Sequence, residues 1–376
     1  MDNTNDKYYK PDWQPENAGQ EFAVRIVKGV AGESVNSSGA EKYQAAKRQK
    51  LDTKSYVDGV LAKDRIMLAR AITLVESNSQ QHREAARDVI QQLLPHRGNT
   101  LRIGISGVPG AGKSTFIEAL GLYLIQNGHK VAVLTVDPSS SVTKGSVLGD
   151  KTRMEKLSRE QDCFIRPSPS GGALGGVTRK TRETITLCEA AGFDIILIET
   201  VGVGQNEISV RSMVDFFLLV LVSGAGDELQ GIKKGVVEIA DAILINKADG
   251  DNLRAANLAK AEYANALHYL QHASKGWETR AHLASSLTGK GIPEIWNVML
   301  KFVEITRGNN FFETRRKKQS LEWVFHLIEN ELKERFYNDE KIIAALPGIK
   351  EKIEHEEIPP TSAAEELLNL FYNKKS

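Results

Sequence analysis

Residues Gly107 to Ser114 read Gly-Val-Pro-Gly-Ala-Gly-Lys-Ser, a complete G-x-x-x-x-G-K-[ST] pattern. The apolar run Arg102-Ile-Gly-Ile-Ser106 leads into it, and a helical run from Thr115 to Gln126 leaves it. A strand, a small-residue loop and a helix in that order turn consecutive backbone N–H groups into one concavity at the positive end of the helix. Gly110, Ala111 and Gly112 let phosphate oxygens approach the backbone, and Lys113 adds a mobile ammonium. Ser114 offers a hydroxyl to a magnesium ion bridging the outer phosphates, and Thr115 continues the helix start. The pattern predicts a nucleoside triphosphate site.

A second apolar run, Ala242-Ile-Leu-Ile245, ends in Asn246-Lys247-Ala248-Asp249. A carboxylate at Asp249 accepts from both the ring N–H and the exocyclic amine of guanine, whereas adenine would leave it desolvated and unpaired. The Lys247 stem can lie along the base and Asn246 can brace the loop, so guanine is expected over adenine. Two further strand ends carry acids: Asp137 in Val133-Leu-Thr-Val-Asp137-Pro, and Glu199 in Ile195-Ile-Leu-Ile-Glu199-Thr-Val-Gly202. Converging near the phosphates, they would hold magnesium directly or through water; Asp137-Pro alone reads equally as a turn or cap. Gly202 permits its N–H to approach a γ-phosphate. Val203 follows it, where Ras-type GTPases carry a water-orienting glutamine, and the next glutamine is Gln205. Slow intrinsic hydrolysis is therefore expected. The run Ser223 to Gly235, directly after a buried strand, either supplies Lys233 or Lys234 to transition-state charge or is a solvated loop.

Strand candidates are Arg102–Ser106, Val131–Val136, Cys163–Arg166, Ile195–Glu199, Phe216–Val222, Ile243–Asn246 and Ala281–Ser285. Several are continuous apolar runs separated by helical ones. This predicts an α/β fold with a doubly wound, mostly parallel sheet of the P-loop NTPase type, with helical extensions at both ends. The chain divides into a flexible extension (residues 1–50), a helical region (51–99) read as a helical pair, the P-loop domain (100–308) and C-terminal helices (309–376) that suit a second subunit. A net charge of +1 over 376 residues gives no electrostatic case for nucleic acid or an anionic membrane. The basic run Arg315-Arg-Lys-Lys318 then reads as a solvated helix face. No stretch approaches the ~20 apolar residues of a membrane span, and the N-terminus resembles neither a secretory signal nor a typical transit peptide. With two cysteines, Cys163 and Cys188, the reading is a cytoplasmic protein in a reducing compartment.

Together, Gly-Val-Pro-Gly-Ala-Gly-Lys-Ser-Thr, Val-Asp-Pro-Ser-Ser, Leu-Gly-Asp-Lys-Thr-Arg-Met, Glu-Thr-Val-Gly-Val-Gly-Gln and Asn-Lys-Ala-Asp closely resemble the methylmalonyl-CoA mutase-associated GTPases. These are the chaperones called MeaB in bacteria and MMAA in animals, also known as ArgK. The likeness runs from about Tyr56 into the C-terminal helices. It implies a homodimeric GTPase that docks on an adenosylcobalamin-dependent acyl-CoA mutase, gates cofactor loading and protects or reactivates the enzyme. It implies GTP or GDP as ligand and Mg2+ held by Ser114, Asp137, Asp150 and Glu199, with catalysis carried by Lys113, Glu199 and Lys233 of a third switch loop. Ser285, Ser286 and Leu287 match the base-contacting loop, usually Ser-Ala-Leu, with Ser286 the departure. The partner is open between methylmalonyl-CoA and isobutyryl-CoA mutase. Rival readings are a nickel-insertion GTPase, for which only the pair His268 and His272 speaks, a small-molecule kinase, and a nucleotide-switched scaffold without catalytic role.

Overall fold

The chain separates into a unit of residues 1–51 and one spanning Asp52–Ser376. The computed structural model describes residues 51–77, 79–136, 154–167, 174–200, 206–223, 234–270 and 273–372, so the expectation for residues 1–50 lies outside them.

Seven parallel strands form one sheet: β1 (Leu101–Gly107), β2 (Val131–Val136), β3 (Cys163–Pro167), β4 (Ile195–Thr200), β5 (Phe216–Val222), β6 (Ala242–Asn246) and β7 (Ala281–Leu283). Their order is β3-β2-β4-β1-β5-β6-β7. Every strand candidate from the sequence is present; the central strands are β-branched or aliphatic runs covered on both faces, while the edge strands β3 (Cys-Phe-Ile-Arg-Pro) and β7 (Ala-His-Leu) are only partly buried. Side chains alternate between two cores. In β5, Phe217, Leu219 and Leu221 enter one core, while Phe216, Leu218 and Val220 enter the other.

On one face, α1 (Thr53–Leu61), α2 (Arg65–Glu76) and α3 (Gln80–Leu93) pack over α6 (Leu174–Ala190), which with α7 (Asn206–Arg211) and α9 (Leu253–Leu267) lies against the strands. The helical pair expected between Lys54 and Leu94 is thus three helices, since Lys63 enters the left-handed region (φ 61°) and Asp64 caps a new helix through Ile66 N–H and Met67 N–H. The opposite face is covered chiefly by α4 (Lys113–Gln126), the short α5 (Glu155–Ser158), and α10 below. Then follow α6 (Leu174–Ala190), α7 (Asn206–Arg211), α8 (Lys234–Glu238), α9 (Leu253–Leu267) and α10 (Ile292–Gly308). The chain ends in α11 (Phe311–Tyr337), α12 (Glu340–Glu354) and α13 (Pro360–Tyr372). Both cysteines are free and buried, and burial pushes the Cys163 thiol up to about 12.

The start of α11 is bolted to the amino ends of β1, β5 and β6. Arg316 grips Asp215 with two bonds of 2.7 and 2.6 Å and donates to the Thr100 carbonyl at 2.6 Å. Arg315 donates to the Asp215 carbonyl at 2.7 Å and to Ser274, and burial lowers its guanidinium to about 10. Arg211 closes the set with a two-bond pair to Asp241 at 2.8 and 3.1 Å. The solvated face expected for Arg315 to Lys318 is corrected here: Lys317 and Lys318 are exposed, but the two arginines are not. The acids immediately before β5 and β6, Asp215 and Asp241, are almost completely buried and demand fixed cations.

Removing one partner of such a pair strands the other. Arg316→Met is expected to destabilise the fold by about 3–5 kcal/mol, whereas Lys318→Met leaves the urea midpoint essentially in place. Urea unfolding followed by circular dichroism reads both.

Candidate functional site

The phosphate loop, the β4 end, the β6 end and the β7 end all lie at the carboxyl edge of the sheet, where open α/β sheets hold ligands. Gly107 shows why the loop begins with glycine. It has φ 150°, and a Cβ there would stand 1.8 Å from the Val220 carbonyl oxygen on the adjacent β5. Gly110 (φ 79°) and Gly112 (φ 83°) take the left-handed turns that carry the chain into α4, with Gly112 at its N-terminal cap. Lys113 lies folded over the loop, its Nζ donating to the Gly107 carbonyl at 2.8 Å and the Val108 carbonyl at 3.2 Å. Thr115, two residues further along the helix, is exposed.

Behind the loop, Ser114 donates to a Glu199 carboxylate oxygen at 2.9 Å. Glu199 pairs in register with Ile105 of β1, and Thr200 donates to Ser106 at 2.8 Å in the buried interior. Strand pairing therefore brings one hydroxyl and one carboxylate together at the start of α4. Two hard oxygen donors of this kind suit Mg2+ rather than a softer metal.

Asn246 connects the two halves of the site. Its Nδ2 donates to the Ala111 carbonyl of the phosphate loop at 2.8 Å, and its Oδ1 accepts from the Ser286 hydroxyl at 2.7 Å and the Ser286 N–H at 3.2 Å. Lys247, exposed and at φ 57°, sends its stem over the same turn: a Cβ on Gly112 would lie 3.8 Å from its Cε. Asp249 accepts from the Ser285 hydroxyl, whose oxygen also accepts from Thr288 N–H at 3.1 Å. Leu287 at the tip is exposed.

The structure therefore brings together Gly110, Ala111, Gly112, Lys113, Ser114, Glu199, Asn246, Lys247, Asp249, Ser285 and Ser286. Asp137, Asp150, Gly202 and Lys233 lie outside the described residues, as does His272 of the histidine pair. Sequence reading missed Asn252 and the use of Ser223. Asn252 stands where a helix cap is expected, and no sequence signal separates that use from another.

Residues 68–341 match the family described as methylmalonyl-CoA mutase-associated GTPase MeaB. The chain belongs to this family. A "Putative GTPase" of Caulobacter vibrioides is 50% identical over 321 residues, covering 85% of this chain and 98% of that protein. "GTPase ArgK" of Escherichia coli is 47% identical over 283 residues, 73% of this chain and 86% of that one. The "Methylmalonic aciduria type A homolog, mitochondrial" of Mus musculus is 44% identical over 326 residues, 84% and 79% of the two chains. Among solved structures, one titled "Crystal structure of LAO/AO transport system kinase" superposes with a TM-score of 0.70 at 36% identity, covering 85% of this chain and 98% of that one. The sheet order and phosphate loop described above are thus those of a P-loop GTPase family.

The loop geometry sets a graded response to added side chains. Gly107→Ala drives a Cβ into backbone and is expected to cost on the order of 3 kcal/mol or more. A Cβ on Gly110 meets nothing within 4 Å, so Gly110→Ala carries only the left-handed strain of about 1–2 kcal/mol. Thermal unfolding of the two variants should show that order.

Proposed function

We propose that this chain is a GTP-hydrolysing chaperone of an adenosylcobalamin-dependent acyl-CoA mutase, most directly methylmalonyl-CoA mutase, which gates cofactor loading and protects or reactivates the enzyme. One observation carries the GTPase half: Asn246 joins the phosphate loop directly to Ser286, whose neighbour Ser285 donates to Asp249. The mutase half is supported by the family's description and by the name of the mouse relative.

In this reading the Lys113 ammonium exchanges the carbonyls of Gly107 and Val108 for phosphate oxygens as they fill the loop. Backbone N–H groups from Gly110 to Thr115 oppose the same charge, and this preorganised field acts on the transferring phosphate. Ser114 and Glu199, with Asp137 and Asp150, would hold Mg2+, which would supply positive charge against the phosphates. Asp249 reads the guanine ring N–H and amine, Lys247 covers the base, and Ser285, Ser286 and Leu287 close its far edge. Gly202 presents its N–H to the γ-phosphate. Val203 leaves no water-orienting glutamine beside it, so turnover is slow until Lys233 is supplied with the mutase bound.

A homodimer through the C-terminal helices is supported by α11. Leu321, Val324, Phe325, Ile328 and Leu332 are all exposed at helical spacing, forming one unpartnered apolar stripe. Among the described residues no helix is long and apolar enough to cross a membrane. The two free, buried cysteines support a cytoplasmic protein, and the net charge of +1 supports a partner other than nucleic acid or an anionic membrane.

Isothermal calorimetry tests the base assignment. GTP and GDP with magnesium should bind while ATP at equal concentration does not compete, and Asp249→Asn should weaken guanine binding, Asp249→Ala more so. Equal affinity for ATP and GTP would remove the guanine reading.

Phosphate release tests the coupling. The cognate mutase should raise GTP turnover by about tenfold or more, within the range of supplied cationic groups. Lys233→Ala should lose most of that stimulation and keep the basal rate. A mutase that binds without raising turnover would favour the nucleotide-switched scaffold instead.

A further inference from the structure

The Asn246-Lys247-Ala248-Asp249 segment is gripped from outside the motif. Lys247 occupies the left-handed region at φ 57°, a conformation that costs a non-glycine residue energy and that something must hold. Asn252 holds it. Its side-chain Nδ2 donates to the Lys247 carbonyl at 2.7 Å, and its backbone N–H donates to the Asp249 carbonyl at 3.1 Å. Asn252 ends a single 3-10 turn (Gly250–Asn252) that runs into α9 and is itself right-handed at φ −78° and ψ −12°, so its side chain is not engaged in capping that helix and is available to the Lys247 turn. On the other side, Asn252 Oδ1 accepts from the Ser223 hydroxyl at 2.7 Å, directly after the end of β5. An amide with its oxygen engaged on one side must present its nitrogen on the other, so the Ser223 hydroxyl fixes which end of Asn252 faces Lys247.

We propose that Asn252, oriented by Ser223, is a positioning residue for base discrimination: it sets the Lys247 turn so that the Asp249 carboxylate meets both guanine donors at once. This rests on the guanine reading of the site. The two-bond recognition by Asp249 is sensitive to angle, and the carboxylate sits two residues beyond the held carbonyl. A turn that relaxes toward right-handed geometry carries Asp249 away from the exocyclic amine first. The phosphate loop is fastened separately, through Asn246 to Ala111, and keeps its contacts.

Inosine diphosphate lacks the exocyclic amine and shares every phosphate contact with GDP, so the GDP-to-IDP affinity ratio isolates the effect. Dissociation constants for GDP, IDP and ADP with magnesium would be measured on the full chain for wild type, Asn252→Ala, Ser223→Ala and Ser223→Thr. Asn252→Ala is expected to shrink the GDP-to-IDP ratio by about fivefold, the scale of one positioning hydrogen bond, with IDP affinity nearly unchanged. Ser223→Ala should shrink it in the same direction, and Ser223→Thr, which keeps the hydroxyl, should retain the wild-type ratio. Equal loss of GDP and IDP affinity would make Asn252 a general fold residue and overturn the proposal. So would a wild-type ratio in Ser223→Ala, which also decides the matter if Asn252→Ala does not fold. Wild-type protein that binds ADP as well as GDP would instead fail the guanine reading itself, and the proposal with it.

Discussion

The hydrogen bonds of the Asn246 amide make one body out of segments far apart in the chain. Its nitrogen reaches the Ala111 carbonyl in the phosphate loop and its oxygen takes both donors of Ser286. An amide buried to 1% exposure with both ends engaged cannot rotate without leaving polar atoms unpaired. The spacing between the phosphate cradle and the Ser285–Ser286 turn, whose Ser285 donates to Asp249, is thereby set by a side chain. Gly112 depends on the same amide, since a Cβ there would press against its Nδ2 at 2.8 Å.

The two edges of the sheet are built from opposite chemistry. At the carboxyl edge, backbone N–H groups, a lysine and a small set of acids are held in hydrogen-bonded loops. At the amino edge, Asp215 and Asp241 are almost fully buried and locked by Arg211, Arg315 and Arg316. The bonds of Arg315 and Arg316 attach α11 to the sheet, so the helix carrying the exposed apolar stripe is fixed to the strands that end at the phosphate loop, while Arg211 ties in α7.

Much of this was legible in the residues. The central strands appear where the aliphatic runs lie, because burial on both faces of a parallel sheet selects that composition, while the edge strands tolerate Arg166 and His282. The phosphate loop and the Asn-Lys-Ala-Asp segment were equally plain, since their chemistry is written in consecutive residues. The helical pair between Lys54 and Leu94 became three helices because a single left-handed lysine followed by a capping aspartate breaks the run without any glycine or proline to mark it. Arg315 and Arg316 looked solvated because nothing in a basic run announces two acids that precede distant strands.

The sequence by itself determined the class of sheet, the presence of a phosphate cradle and the choice of acids and amides available to a nucleotide. Those properties depend on local spacing and on hydrophobic periodicity, which a linear chain carries. Only the tertiary structure decided which of these residues meet. Strand order sets Glu199 beside Ser114, β5 against Gly107, and Asn246 between two loops. It also turns Asn252 away from its own helix and toward Lys247. Such pairings follow from how parallel crossovers stack the strands, and the cost of leaving a buried polar group unpaired then selects the partner it finds.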